Sequence, residues 1–118
     1  MDFVCEVLAD RYDLSTFDSS QPTLDHWLRK SAPDSDGRNL TRTYIWHRGE
    51  DIVVAYYTLM PYFIGREALT KKQGRALPDW IPCYLIARLA LDRSLHGNRL
   101  GSQLLASALM RTAVGARD

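Results

Sequence analysis

No stretch of the 118 residues approaches the ~20 consecutive apolar residues that a membrane-spanning helix requires. The opening MDFVCEVLAD has neither a basic leader nor a signal-like apolar core, so no targeting segment is expected there. Cysteine is scarce. The two present, Cys5 and Cys83, lie in separate apolar, strand-like stretches without metal-ligand spacing. Buried, reduced thiols in a cytoplasmic protein are therefore expected, with no metal site. Several chemical signatures are also missing. There is no GxxxxGK followed by Ser or Thr, and no three-glycine dinucleotide turn. Nor is there an HExxH, a paired-carboxylate signature or a Ser/His/Asp set. No internal repeat or low-complexity tract interrupts the chain.

What is present fits one domain over residues 1–118. Hydrophobic content of 46% suffices for a single core at this length. The net charge of +1 hides an asymmetry: eight acids and three bases run to Asp36, then six acids and twelve bases follow. A basic later portion suits a polyanionic ligand, and a solvated basic face accounts for it equally well.

Taken in order, Phe3–Leu8 has strand character. Ser19 or Ser20 is placed to cap a helix over Gln21–Lys30, with Pro22 in its first turn and Leu24, Trp27 and Leu28 on one face. His26 falls on the opposite, solvated face. Residues 32–39 (APDSDGRN) are polar and rich in turn formers. Thr41–His47 alternates as a strand, Arg48–Asp51 marks a hairpin turn, and Ile52–Met60 is a near-continuous apolar run expected to be a central strand. Tyr56 and Tyr57 are read as packed strand tyrosines. Residues 65–74 form a basic connector, with Arg66, Lys71, Lys72 and the adjoining Arg75 close together but no interleaved aromatics.

The chain is organised around Tyr84–Thr112. Tyr84–Leu91 is a strand candidate. Strict alternation puts Leu85, Ala87, Leu89 and Leu91 on one face, and Tyr84, Ile86, Arg88 and Ala90 on the other. Asn98–Ala113 has helical spacing, with Leu100, Leu104, Leu105, Ala108, Leu109 and Thr112 in one stripe. Between them lies a turn with Asp92, Ser94 and Gly97, and Gly101 stands just inside the helix. Strand, glycine-bearing turn and helix can aim backbone N–H groups at an anion. The same glycines also serve a sharp bend and nothing more.

RLALDRSLHGNRLGSQLLASAL resembles the acyl-CoA-binding motif of the GNAT superfamily of N-acyltransferases. That motif runs Gln or Arg, two residues, Gly, one residue, Gly or Ala. His96 stands at the first position, Arg99 at the first glycine and Gly101 at the last. Two of the three positions thus depart from the consensus. FDSSQPTLDHWL is similar to the opening of toxin-type GNAT proteins, and TRTYIW with IVVAYYTL resembles their paired second and third strands. The resemblance implies an α/β (α+β) fold with a mixed, mostly antiparallel sheet flanked by helices. It also implies acetyl-CoA as co-substrate. Leu89, Ala90 and Leu91 would meet the pantetheine through backbone groups, while His96, Gly97, Asn98, Arg99, Leu100, Gly101 and Ser102 would cradle the pyrophosphate.

The activity so implied is acetyl transfer to the amino group of an aminoacyl-tRNA, opposed by a small DNA-binding antitoxin. Acetylation of a small amine or a protein N-terminus is an alternative, as is an inactive remnant that only binds CoA or a partner. The resemblance covers Phe3 to Arg117, yet the family's domain continues past the acyl-CoA helix with a fifth strand, a helix and a strand pair. The tyrosine that commonly protonates the departing thiolate lies in that continuation. No catalytic residue is therefore assigned in this chain, which is expected to be truncated. Its fourth strand would be an exposed edge, so either a second chain, a homodimer included, is expected to cover it or the sequence is a fragment of a longer protein.

Overall fold

The computed structural model describes residues 3–65 and 79–115, with side chains as far as Thr112. The expected basic connector lies largely outside the described residues. Four strands pair in the order β1 (Val4–Val7), β2 (Arg42–His47), β3 (Ala55–Gly65) and β4 (Trp80–Leu91), every neighbour antiparallel. The outer edge of β4 has no strand partner among the described residues. Helices α1 (Pro22–His26) and α2 (Ala32–Gly37), joined by a π-helical turn over Trp27–Ser31, lie on one face of the sheet. Helix α3 (Leu100–Gly115) lies on the other. No described helix is long and apolar enough to cross a membrane.

Strand alternation assigns each core residue to a side. Ile45, Tyr56 and Ala90 pack with Leu28, Ala32 and Phe17 beneath α1 and α2. Tyr44, Trp46, Ala55, Tyr57 and Leu59 pack against Leu104 and Ala108 of α3. The stripe of α3 is narrower than its spacing suggested: Leu100, Leu104 and Ala108 are buried, whereas Leu105 and Leu109 are exposed. Ser107 and Arg111 flank the buried row instead. The Tyr57 hydroxyl lies 3.2 Å from Ser107 Oγ and 3.6 Å from Cys5 Sγ, and the Arg111 guanidinium sits over the Tyr44 ring. Both cysteines are free but only half-buried, against the expectation of full burial. Cys5 lies on the edge strand β1, and Cys83 in the two-stranded ribbon beyond β2.

Three local departures from the sequence pattern have physical causes. The first helix does not stop at Lys30 but continues to Gly37, through residues expected to be a loop. Pro33 cannot donate to the carbonyl four residues back, and the helix widens into the π-turn just before it. The far end is then fastened to β2, where the Asp36 carboxylate accepts from Thr43 N (2.8 Å) and Thr41 Oγ1 (2.6 Å). Neither Ser19 nor Ser20 caps the helix in the expected way. Buried Asp25 reaches back and accepts from Ser19 Oγ (2.7 Å) and Ser19 N (3.1 Å). Finally, β3 begins at Ala55 rather than Ile52, because Ile52 and Val53 bridge to Asp13, with Val53 N donating to Asp13 O at 3.2 Å.

Beyond Leu59, β3 outruns β2 and pairs with β4 alone. The resulting ribbon, Met60–Gly65 against Trp80–Leu85, carries no charged residue and exposes Tyr62, Phe63, Trp80, Tyr84 and Leu85.

Candidate functional site

The turn between β4 and α3 is built from three anchors. Asp92, the first residue after β4, accepts from Ser94 N (3.1 Å) and Ser94 Oγ (2.7 Å), which starts the 3₁₀ turn Arg93–Leu95. Its other oxygen accepts from Asp18 N at 2.9 Å, and Arg93 N donates to Asp18 O at 2.8 Å. Burial pushes the Asp92 carboxyl up, but the Ser94 hydroxyl, the N–H groups of Asp18 and Ser94, and His96 outweigh it. The net position is below the usual carboxylate range. The Phe17–Asp18–Ser19 loop and the end of β4 are thus one hydrogen-bonded unit. The second anchor is Leu95, 1% exposed, which plugs the turn into the core. The third is His96, whose Nε2 stands 2.8 Å from Leu91 O. The carbonyl can only accept, so the ring proton resides on Nε2.

Beyond His96 the backbone turns twice through the left-handed region, at Gly97 (φ +84°) and at Arg99 (φ +59°). Leu100 then opens α3 with its side chain buried. A side chain at φ +59° is strained by about 1–2 kcal/mol. A cation at the positive end of a helix is unfavourable as well. Among the described residues no carboxylate pairs with Arg99. Arg99 therefore carries two costs that the free chain does not offset. Gly101 is different. A Cβ built there meets nothing within 4 Å, so packing within the chain does not require a glycine.

Of the ten residues expected to serve a ligand, His96, Gly97, Asn98, Arg99, Gly101 and Ser102 come together as an exposed rim around the start of α3. Leu100 and Ala90 are buried, so only their backbone can serve. Leu89 and Leu91 pack on the α3 side of the sheet and Ala90 on the α1 side. Ile86 packs with Leu89 and Leu91, although strict alternation put it on the opposite face. The register explains this: Thr58 pairs with Arg88 and Leu59 with Ile86, so Ala87 is an extra residue, a β-bulge, that reverses the pattern. The sequence reading missed Asp92 and Asp18 as the struts of the turn, although Asp-x-Ser after an apolar strand is a recognisable capping signal.

A cavity of about 560 Å³ opens elsewhere, between the loop after β1 and α2, with Val7, Tyr12, Pro33, Asp36 and Arg42 in its walls. It shares no residue with the β4–α3 turn.

Known proteins share this fold. The tRNA-acetylating toxin of Mycobacterium tuberculosis is 33% identical over 109 residues, covering 92% of this chain and 65% of the toxin. The structure of AtaT complexed with acetyl-methionyl-tRNAfMet is 34% identical with a TM-score of 0.82, over 91% of this chain and 66% of that one. A mutant AtaT toxin bound to acetyl-CoA and the C-terminus of the antitoxin AtaR is 30% identical with a TM-score of 0.80, over 98% and 69%. The chain belongs to the AtaT-like GNAT toxins. No family model matches it. It spans about two thirds of the length of these relatives, and its four-stranded antiparallel sheet with flanking helices is the corresponding part of their fold.

Proposed function

We propose that this chain holds the acetyl-CoA-binding part of a toxin that acetylates the amino group of an aminoacyl-tRNA. In such a reaction the neutral amine attacks the thioester carbonyl carbon, a C–N bond forms, and the C–S bond breaks. The amine's proton leaves and the CoA thiolate takes one up. The residues of this chain serve the co-substrate. The N–H groups opening α3, with Arg99 and Ser102, would hold the pyrophosphate, and the backbone of Leu89–Leu91 would align the pantetheine. His96 keeps the end of β4 in place by occupying Leu91 O.

The observation that carries this reading is the pairing of Arg99 with Gly101. One residue bears a strained, unpaired positive charge at a helix N-terminus, and the next but one leaves open space where a side chain would fit. An anion seated there relieves the first and uses the second. The relatives support the same ligand, since AtaT has been seen with acetyl-CoA, with acetylated tRNA and with its antitoxin. The test is calorimetric titration of the 118-residue chain with acetyl-CoA. Saturable binding that desulfo-CoA matches and dephosphorylated pantetheine does not would support it. A folded chain that binds neither nucleotide form would refute it.

A further inference from the structure

Alternation back from Leu91 and Leu89 sets Arg88 on the sheet face opposite α3, beside its pair Thr58, and the bulge at Ala87 removes Ile86 from that face. There its guanidinium carbon lies 4.0 Å from the centroid of the Trp27 ring. Trp27 in turn stacks on Tyr56, 6.2 Å away and nearly parallel, and the Tyr56 hydroxyl donates to Leu24 O at 2.8 Å. Arg88 is half-buried, yet among the described residues no carboxylate comes within ion-pair distance of it. Asp25, an acid of α1, is buried and accepts from Ser19. An aromatic face compensates a half-buried cation only in part. The guanidinium is thus pre-positioned, half-buried and without a carboxylate partner among the described residues.

We propose that Arg88 binds a backbone phosphate of the RNA that presents the acceptor amine. The inference rests on the proposed function and extends it to the second substrate. Its basis is the two-sidedness of β4. Leu89 and Leu91 face α3, at whose start the CoA phosphates would sit, whereas Arg88 faces Trp27 on the other side of the sheet, so the two anion sites lie on different sides of β4. The planar fork of arginine suits two phosphate oxygens at once, and the Trp27 plane fixes its direction. A lysine would supply the charge without that geometry.

The experiment measures binding of an uncharged tRNA by fluorescence anisotropy over a range of salt, beside acetyl-CoA calorimetry, for the whole chain and its variants. Arg88→Gln keeps much of the side-chain length without the charge. It is expected to weaken tRNA binding at least tenfold and to lower the salt slope by about one, with acetyl-CoA affinity unchanged. Arg88→Lys should restore the slope but only part of the affinity. Unaltered tRNA affinity and slope in Arg88→Gln would overturn the proposal. So would a parallel loss of acetyl-CoA and tRNA binding with a lowered melting temperature, the mark of a packing brace. A wild-type chain that binds acetyl-CoA but no tRNA overturns this inference and leaves the acetyl-CoA site standing. One that binds tRNA in an Arg88-dependent way but no acetyl-CoA supports it and removes the acetyl-CoA site.

Discussion

Gly101→Ala separates a glycine kept for folding from one kept for a ligand. In the free chain the new methyl group meets nothing within 4 Å, so no repacking cost is expected. Position 101 lies in the first turn of a 16-residue helix, where replacing glycine with alanine reduces the backbone entropy lost on folding. The gain is up to about 0.5–1 kcal/mol, read as a higher urea midpoint at unchanged slope. A phosphate resting on this turn would meet the methyl directly. Losing or lengthening one charge-assisted hydrogen bond costs about 1.5–3 kcal/mol, or roughly a 10- to 150-fold weaker acetyl-CoA affinity by calorimetry. Gly101→Asp should sharpen the contrast. A carboxylate near a helix N-terminus stabilises the free chain by about 0.3–1 kcal/mol and repels the incoming phosphate. Stability and affinity must therefore move in opposite directions. Unchanged affinity in Gly101→Ala would refute the site, and a fall in both quantities would show that the fold, not the ligand, demands the glycine.

Three further outcomes are expected. Arg99→Gly relieves the left-handed strain and should raise folding stability by about 1 kcal/mol, while acetyl-CoA affinity falls several-fold with the lost charge. Tighter binding would make Arg99 an obstruction instead. Asp92→Ala removes the acceptor for Asp18 N, Ser94 N and Ser94 Oγ and should cost about 2 kcal/mol in urea denaturation at neutral pH. Because the folded Asp92 pKa is depressed, the charge-dependent part of its contribution is full above the unfolded value near 3.8 and is lost as pH falls through the folded one. The gap between wild type and Asp92→Asn should close in that acid range. Burial raises Tyr56 from 10.0 to about 12, so tyrosinate absorbance should show a class absent near pH 10 that emerges only towards pH 12. The stability Tyr56 contributes is full below pH 10 and is lost between those values; burial raises Tyr57 as well, so Tyr56→Phe should reduce the late class by one tyrosine rather than abolish it.

β2 was legible because it keeps to a period of two, and β3 because its apolar run marks a strand covered on both faces. In β2, Tyr44 and Trp46 face one way and Ile45 the other, and one face of β3 follows from the same rule. The start of α3 was legible from the spacing of Leu100, Leu104 and Ala108 and from the resemblance at His96–Gly101. What escaped the pattern were contacts between segments distant in sequence. Asp18 and Asp92 are 74 residues apart and meet only when the first loop folds over the end of β4. Pro33 reads as a stop, but tertiary packing of Leu28 and Ala32 carries the helix through it at the expense of a π-turn. Pro82 reads as a rigid approach to the strand. In the structure it lies within β4, opposite Phe63, a position tolerated where the strand's other edge makes no ladder among the described residues.

The bulge at Ala87 decides what lies beside Arg88 on β4. Counting back from Leu91, strict alternation would put Leu91, Leu89 and Ala87 towards α3, and Ala90, Arg88 and Ile86 towards α1. Ile86 and Arg88 would then compete for the same side, with a β-branched apolar group beside the cation over Trp27. The extra residue returns Ile86 to the α3 side, where it joins Leu89 and Leu91 in the core. Arg88 is left next to the polar Thr58 and the Trp27 ring. The apolar surface is thereby gathered under the helix that begins at the proposed phosphate turn, and the charge is isolated on the opposite face. A single inserted residue thus clears the face that Arg88 shares with Trp27 of an apolar neighbour and adds that neighbour to the core under α3.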